Sequence, residues 1–135
     1  MTALARCVLA ALAACALAGC GGDDGYRDEN LALLATIPSY PGATVDRTTH
    51  VTEGDVSFSA RDWTLPRSAT APGVVQFYVE RLAAKGWQFE GQTGNSAAAH
   101  RGPRSVDLAV HGRKLEVIAN ARGAAPEAKT TTSKG

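Results

Sequence analysis

Few residues in this chain have the type and spacing that chemistry needs. Its three histidines are His50, His100 and His111. A zinc site takes three or four converging ligands, usually with some at short local spacing. Here no His-x-x-x-His occurs, no cysteine follows Cys20, and the carboxylates are scattered. Serine nucleophiles fare no better. Ser57 and Ser59 fall in a strand and Ser105 precedes one, and none sits in a Gly-x-Ser-x-Gly elbow. Asp46, Asp62 and Asp107 could work as acid and base, but strand periodicity alone brings no two of them together. They read as solvated strand-face charges. Gly91-Gln92-Thr93-Gly94 lacks the lysine that follows a phosphate-binding loop. The expectation is no catalytic residue, no metal and no cofactor.

The third chemical group is the cysteine thiol, and here position decides. Arg6 supplies a positive charge ahead of an apolar run from Cys7 to Ala18. That run is shorter than the ~20 residues that span a bilayer core, and it suits a signal peptide. It ends in Leu17-Ala18-Gly19-Cys20, which resembles the lipobox of bacterial lipoproteins: an aliphatic residue, two small residues, then cysteine. The resemblance implies a diacylglyceryl group on the Cys20 sulfur and cleavage between Gly19 and Cys20. It also implies a mature protein in the cell envelope, held by lipid on the extracytoplasmic side of a membrane. More than one acyl chain is needed for stable anchoring, and a diacylglyceryl group provides two. Gly21-Gly22-Asp23-Asp24-Gly25 has nothing apolar to bury and reads as a tether. Gly21, not Asp, follows the cysteine, so no inner-membrane retention signal is implied. Cys7 and Cys15 leave with the signal, and the one remaining cysteine allows no intramolecular disulfide.

Charge excludes a class of partner. Of 14 basic residues Arg6 is removed with the signal, so the mature chain has as many basic as acidic groups, 13 of each. With no basic stripe, nucleic acid is not an expected partner. The expected partition is residues 1–19 signal, 20–27 lipidated tether, 28–122 a small domain, and 123–135 a disordered polar tail. About 85–95 residues can share a core, which leaves little volume for a deep, enclosed ligand cavity.

The elements that must position any site follow from periodicity and turn residues. Asp28–Ile37 reads as a short helix with acidic residues at its start and Leu31 and Leu34 on its buried stripe. Tyr40-Pro41-Gly42-Ala43 has the type II turn pattern. Strands are expected over residues 44–51 and 56–65, around a hairpin tip at Glu53-Gly54-Asp55. In the second, Val56, Phe58 and Ala60 share one face, and Trp63 and Leu65 fall on the other. Either a bulge near Arg61-Asp62 restores the phase or both faces are covered. Thr70-Ala71-Pro72-Gly73 opens the main helix, and Gly86 closes it. A strand follows from Trp87 to about Glu90. Gly91–Gly102 is rich in Gly, Ala, Ser and Asn and reads as a loop. Val106–Val110 and Leu115–Ala119 alternate as a final hairpin turning on Gly112-Arg113. The competing turn, His111-Gly112, would set Asp107 opposite Glu116. The expected fold is α+β: an antiparallel sheet of about five strands, one main helix packed on one face, and a short N-terminal helix.

Tyr40-Pro41-Gly42-Ala43, the hairpin, and a helix with Phe77-Tyr78 and Leu82 ending in Gly86-Trp87 resemble a small exported domain of bacterial lipoproteins. The resemblance spans about residues 30–121 and assigns no catalytic residue. For function, the expectation is a non-catalytic module that binds or scaffolds an envelope protein or ligand beside the membrane. Trp63, flanked by Arg61 and Arg67, is its candidate partner-binding patch, with the 91–102 loop as a second contact surface. The alternative is a small extracytoplasmic hydrolase or accessory enzyme. It calls for a cleft that joins at least two of His50, His100, His111, Asp46 and Asp62.

Overall fold

The computed structural model of the chain describes residues 26–54 and 56–122. The expected signal, Cys20, most of the tether and the C-terminal tail lie outside these residues. The element order is α1 (Arg27–Thr36), β1 (Thr44–Glu53), β2 (Val56–Thr64), α2 (Ala71–Ala84), β3 (Gln88–Gln92), β4 (Ser96–Arg101), β5 (Arg104–His111) and β6 (Lys114–Asn120). The strands form one antiparallel sheet in the order β1-β2-β6-β5-β4-β3. The α+β class is as expected, but the sheet has six strands, not about five. The added strand is β4, in the segment read as a loop. Its Ala97 and Ala99 are buried, while Ala98 and His100 point the other way. Alanine has little strand preference of its own, so pairing to β3 and β5 decides this element.

Both helices pack on the same face of the sheet, α1 against β2 and β6, and α2 against β5, β3 and β4. On α2, Val74, Val75, Tyr78 and Leu82 form the buried stripe. On the strands beneath lie Trp63, Val106, Leu108, Val110, Leu115 and Val117, each at most 3% exposed. Burying a side chain of this kind contributes ~1.5–3 kcal/mol. The ends of α2 are fixed locally. Thr70 caps the start, its hydroxyl accepting from the Gly73 N–H at 3.2 Å. At the far end the Gly86 N–H donates to Ala83 O and the Trp87 N–H to Leu82 O. With Gly86 at φ +89°, this is a Schellman motif. Arg101 of β4 adds a donor to the exposed Lys85 carbonyl at 2.9 Å. The Tyr40 turn forms as expected, with Ala43 N–H to Tyr40 O at 3.0 Å and Gly42 at φ +80°.

Three readings of phase need correction. In α1 the buried positions are Asn30, Leu33 and Leu34, and Leu31 is only partly covered. The true stripe includes a polar residue, which concealed it. In β2 the opposition of Trp63 to Phe58 is real, but the covered face is that of Trp63. Ser57, Ser59 and Trp63 point to the helix-covered face, while Val56 and Phe58 lie partly open on the other face. The bulge is across the ladder in β1, between Val45 and Arg47, so β2 runs through in regular phase. The other edge strand, β3, is also bulged, between Phe89 and Gly91. Bulges at both edges twist the free backbone groups away from further strand pairing. The last hairpin has the expected register, Val110 opposite Leu115 and Leu108 opposite Val117.

Candidate functional site

Trp63 has no exposed surface. It is part of the core and cannot anchor a partner. Arg61 lies beside it, with its guanidinium 5.8 Å from the ring and its Nε donating to Thr48 Oγ1. Arg67 is exposed on the connection from β2 to α2. The three therefore form no exposed patch around an indole.

One Ser–His contact exists. His50 Nδ1 is 3.0 Å from Ser59 Oγ, and its Nε2 is 3.1 Å from Thr52 Oγ1 and 3.4 Å from Ser57 Oγ. Asn30 Nδ2 donates to Ser57 Oγ at 3.2 Å, and the Ala121 N–H donates to Asn30 Oδ1 at 2.8 Å. A nucleophilic serine needs an approach for its substrate and a group that orients the base. Ser59 has no exposed surface, and hydroxyls occupy both ring nitrogens. The arrangement joins β1, β2, α1 and the residue after β6 through one polar network, buried at Asn30, Ser57 and Ser59. Sequence reasoning missed it, although Asn30 in a helical stripe and serines at every second position of β2 were its signal.

The helix-free face of the sheet is the surface on which most of the candidate residues gather. Two rows cross it from strand to strand. One reads Ser96, Ala109, Glu116, Asp62 and Arg47. The next reads Gly91, Ala98, Asp107, Ile118, Ala60 and Thr49. Small residues at Gly91, Ser96, Ala98 and Ala109 leave a shallow, open-sided hollow of about 330 Å³, bordered by Asp107, Glu116 and Ile118. A second hollow, of about 440 Å³, adjoins it at Glu116 and is lined by Asp46, Arg47, Asp62, His111 and Lys114. The two form a groove across the strands, and neither is the enclosed cavity that a domain this size lacks room for.

The second hollow joins three of the dispersed residues, Asp46, Asp62 and His111. Both aspartates are already engaged. Lys114 Nζ lies 2.5 Å from Asp46, and the Thr64 hydroxyl donates to the same carboxylate at 2.8 Å. Together they hold the Asp46 carboxyl below its ordinary range, which makes it a weaker base. Arg47 Nε lies 2.5 Å from Asp62. His50 lies apart, on the helix-covered face. His100, expected in a loop, is in β4 with its Nδ1 2.7 Å from Glu90 Oε1, though not aligned for a hydrogen bond. Among the described residues no three His, Cys, Asp or Glu side chains are placed to hold a metal ion.

Asp107 and Glu116 differ from the other carboxylates of this face. Among the described residues neither has an ion-pair partner. Asp107 is open to solvent, yet partial desolvation and then the nearby Glu90 push its carboxyl above the ordinary value.

The ends of the described domain are also placed. Arg122, just after β6, is ion-paired to Glu29 and has its guanidinium 5.2 Å from the Tyr26 ring. The described domain thus begins and ends at one corner. β6 runs from Lys114, in the groove, to Asn120 beside that corner, a separation of ~20 Å at strand spacing.

No protein-family profile matches the chain, and neither a curated protein nor a solved structure shows significant similarity to it.

Proposed function

We propose that this is a bacterial envelope lipoprotein, lipidated at Cys20 and held on the extracytoplasmic face of a membrane, whose domain binds a partner rather than transforming a substrate. The asymmetry of the sheet carries the binding part of this reading. Two helices cover one face, and the other bears a groove with a floor of small residues and a charged border. Such a floor admits another chain closely, and an open-sided groove suits a segment of a partner better than an enclosed small molecule. The lipobox supports the address. The placement of both domain ends at one corner agrees with it, since the far end of the groove, at Lys114, lies ~20 Å along β6 from that corner. Tethering raises the local concentration of the domain, so a weak contact suffices.

Two measurements test this. Metabolic labelling with a fatty acid marks the mature protein and is lost in Cys20→Ala; a retained label, or a mature N-terminus elsewhere, rejects the anchor. A photo-crosslinker at Ala109, on the open face, captures a membrane-associated partner, and one at Gln76, on the outer side of α2, does not. Equal capture from both positions rejects the open face as the binding surface.

The meeting of Asp46, Asp62 and His111 in one hollow favours a second reading, a small hydrolase. Turnover of ester, phosphate or peptide substrates that disappears in His111→Ala would establish it over the first.

A further inference from the structure

We propose that the groove takes an extended basic segment of a partner protein, seating two Lys or Arg side chains, two residues apart, against Asp107 and Glu116. This rests on the reading of the open face as the binding surface and adds the chemistry of what binds there.

Charge comes first. Asp62 and Asp46 each have a cation beside them, from Arg47 and Lys114 respectively, and Glu90 has the His100 imidazole beside it. Asp107 and Glu116 form no ion pair among the described residues, and Arg47, whose charge Glu116 feels, is already paired to Asp62, so the unbalanced charge of the groove is negative and centres on these two. Spacing comes second. Asp107 is opposite Ile118 on β6, and Glu116 is two residues before Ile118, which makes the carboxylates diagonal neighbours. Such positions are ~7–8 Å apart. An extended chain presents a side chain to the same side every ~6.6–6.8 Å. A Lys-x-Lys or Arg-x-Arg segment therefore meets both carboxylates in register, and adjacent basic residues, which point to opposite sides, do not.

Depth comes third. Gly91, Ala98 and Ala109 flank the two acids and keep the hollow open on their side, with Ile118 at its border. Finally, an ionised Asp107 is partly desolvated and close to Glu90, so an arriving cation relieves an unfavourable charge already in place.

The test uses the full mature lipoprotein in neutral detergent. The probes are three fluorescent, end-blocked pentapeptides, Thr-Lys-Thr-Lys-Thr, Thr-Lys-Lys-Thr-Thr and Thr-Glu-Thr-Glu-Thr, with spermidine as a competitor. The first binds saturably, weakens as salt is raised, and binds more tightly than the second; the third does not bind. Asp107→Asn and Glu116→Gln each weaken it about three- to fivefold, the range of a partly solvated charge pair. Glu80→Gln, on the outer side of α2, leaves it unchanged. Absence of binding, equal affinity for adjacent lysines, displacement by spermidine at equal concentration, or insensitivity of the Asp107→Asn/Glu116→Gln double variant overturns the proposal. Ala98→Trp, checked for folding by circular dichroism, fills the groove. If it abolishes the crosslink from Ala109 while no basic peptide binds, the open face stands and the basic partner falls. If it leaves the crosslink intact, both fall.

Discussion

Asp62 and Glu116 stand directly opposite each other across the β2–β6 ladder, two carboxylates on the open face of the sheet. Like charges so placed repel. Arg47 of the bulged edge strand relieves this pair, with its Nε 2.5 Å from Asp62 and its charge also felt by Glu116. Arg47→Ala should lower the melting temperature, more at low ionic strength than at high, because these groups are solvated. Adding Glu116→Gln should recover part of the loss. A single variant that melts like wild type at low salt would show that the opposed acids need no relief.

The buried polar network makes a separate claim on stability. Asn30 has no exposed surface and holds both Ser57 and the Ala121 N–H. Removing it costs about 1–3 kcal/mol for each buried group left unpaired. Asn30→Leu should therefore be no more stable than Asn30→Ala in denaturant unfolding, despite its larger apolar side chain. Recovery of wild-type stability by leucine would show that the site asks only for volume.

Leu82 belongs to the core through its side chain and to the helix terminus through its carbonyl, which accepts the Trp87 N–H. Leu82→Ala should cost ~2–5 kcal/mol as the fully buried side chain leaves a cavity. Trp63→Ala should cost ~3–5 kcal/mol, as a core residue does. A Trp63→Ala protein with unchanged unfolding would contradict the placement of the indole in the core.

The acid response has two opposing parts. Asp107 has a raised pKa when folded, so its ionised form opposes folding at neutral pH. Asp107→Asn should melt above wild type at pH 7, and the gap should close as pH falls through the raised value and below 3.8. Asp46 is lowered, so it stabilises above 3.8 and that contribution is lost as pH falls through its folded value. Lys114→Ala should destabilise at neutral pH and converge on wild type in strong acid. Melting temperatures of the three proteins across pH 2–8 check both signs.

The sequence by itself determined the elements whose signals are local. The Tyr40 turn, the body and both ends of α2, and the register of the β5–β6 hairpin follow from Pro41-Gly42, from Thr70 and Gly86, and from Gly112 placed beside alternating Val and Leu. The lipobox reading of Leu17–Cys20 is local in the same way and rests on the sequence alone. Tertiary structure decided what depends on neighbours distant in the chain. Strand β4 exists because Ala97 and Ala99 fit under α2 between two partners, not because Ala-Ala-Ala favours a strand. Periodicity put Trp63 and Phe58 on opposite faces, but it carries no sign for inside, and the docking of α1 on β2 and β6 set it. Asn30 reads as polar and therefore solvated until Ser57 and Ala121, 27 and 91 residues away, supply its partners. The groove is the clearest case. Ser96, Ala109, Glu116, Asp62 and Arg47 come from five strands, and a row of residues across a sheet has no trace along the chain until the ladders set its register.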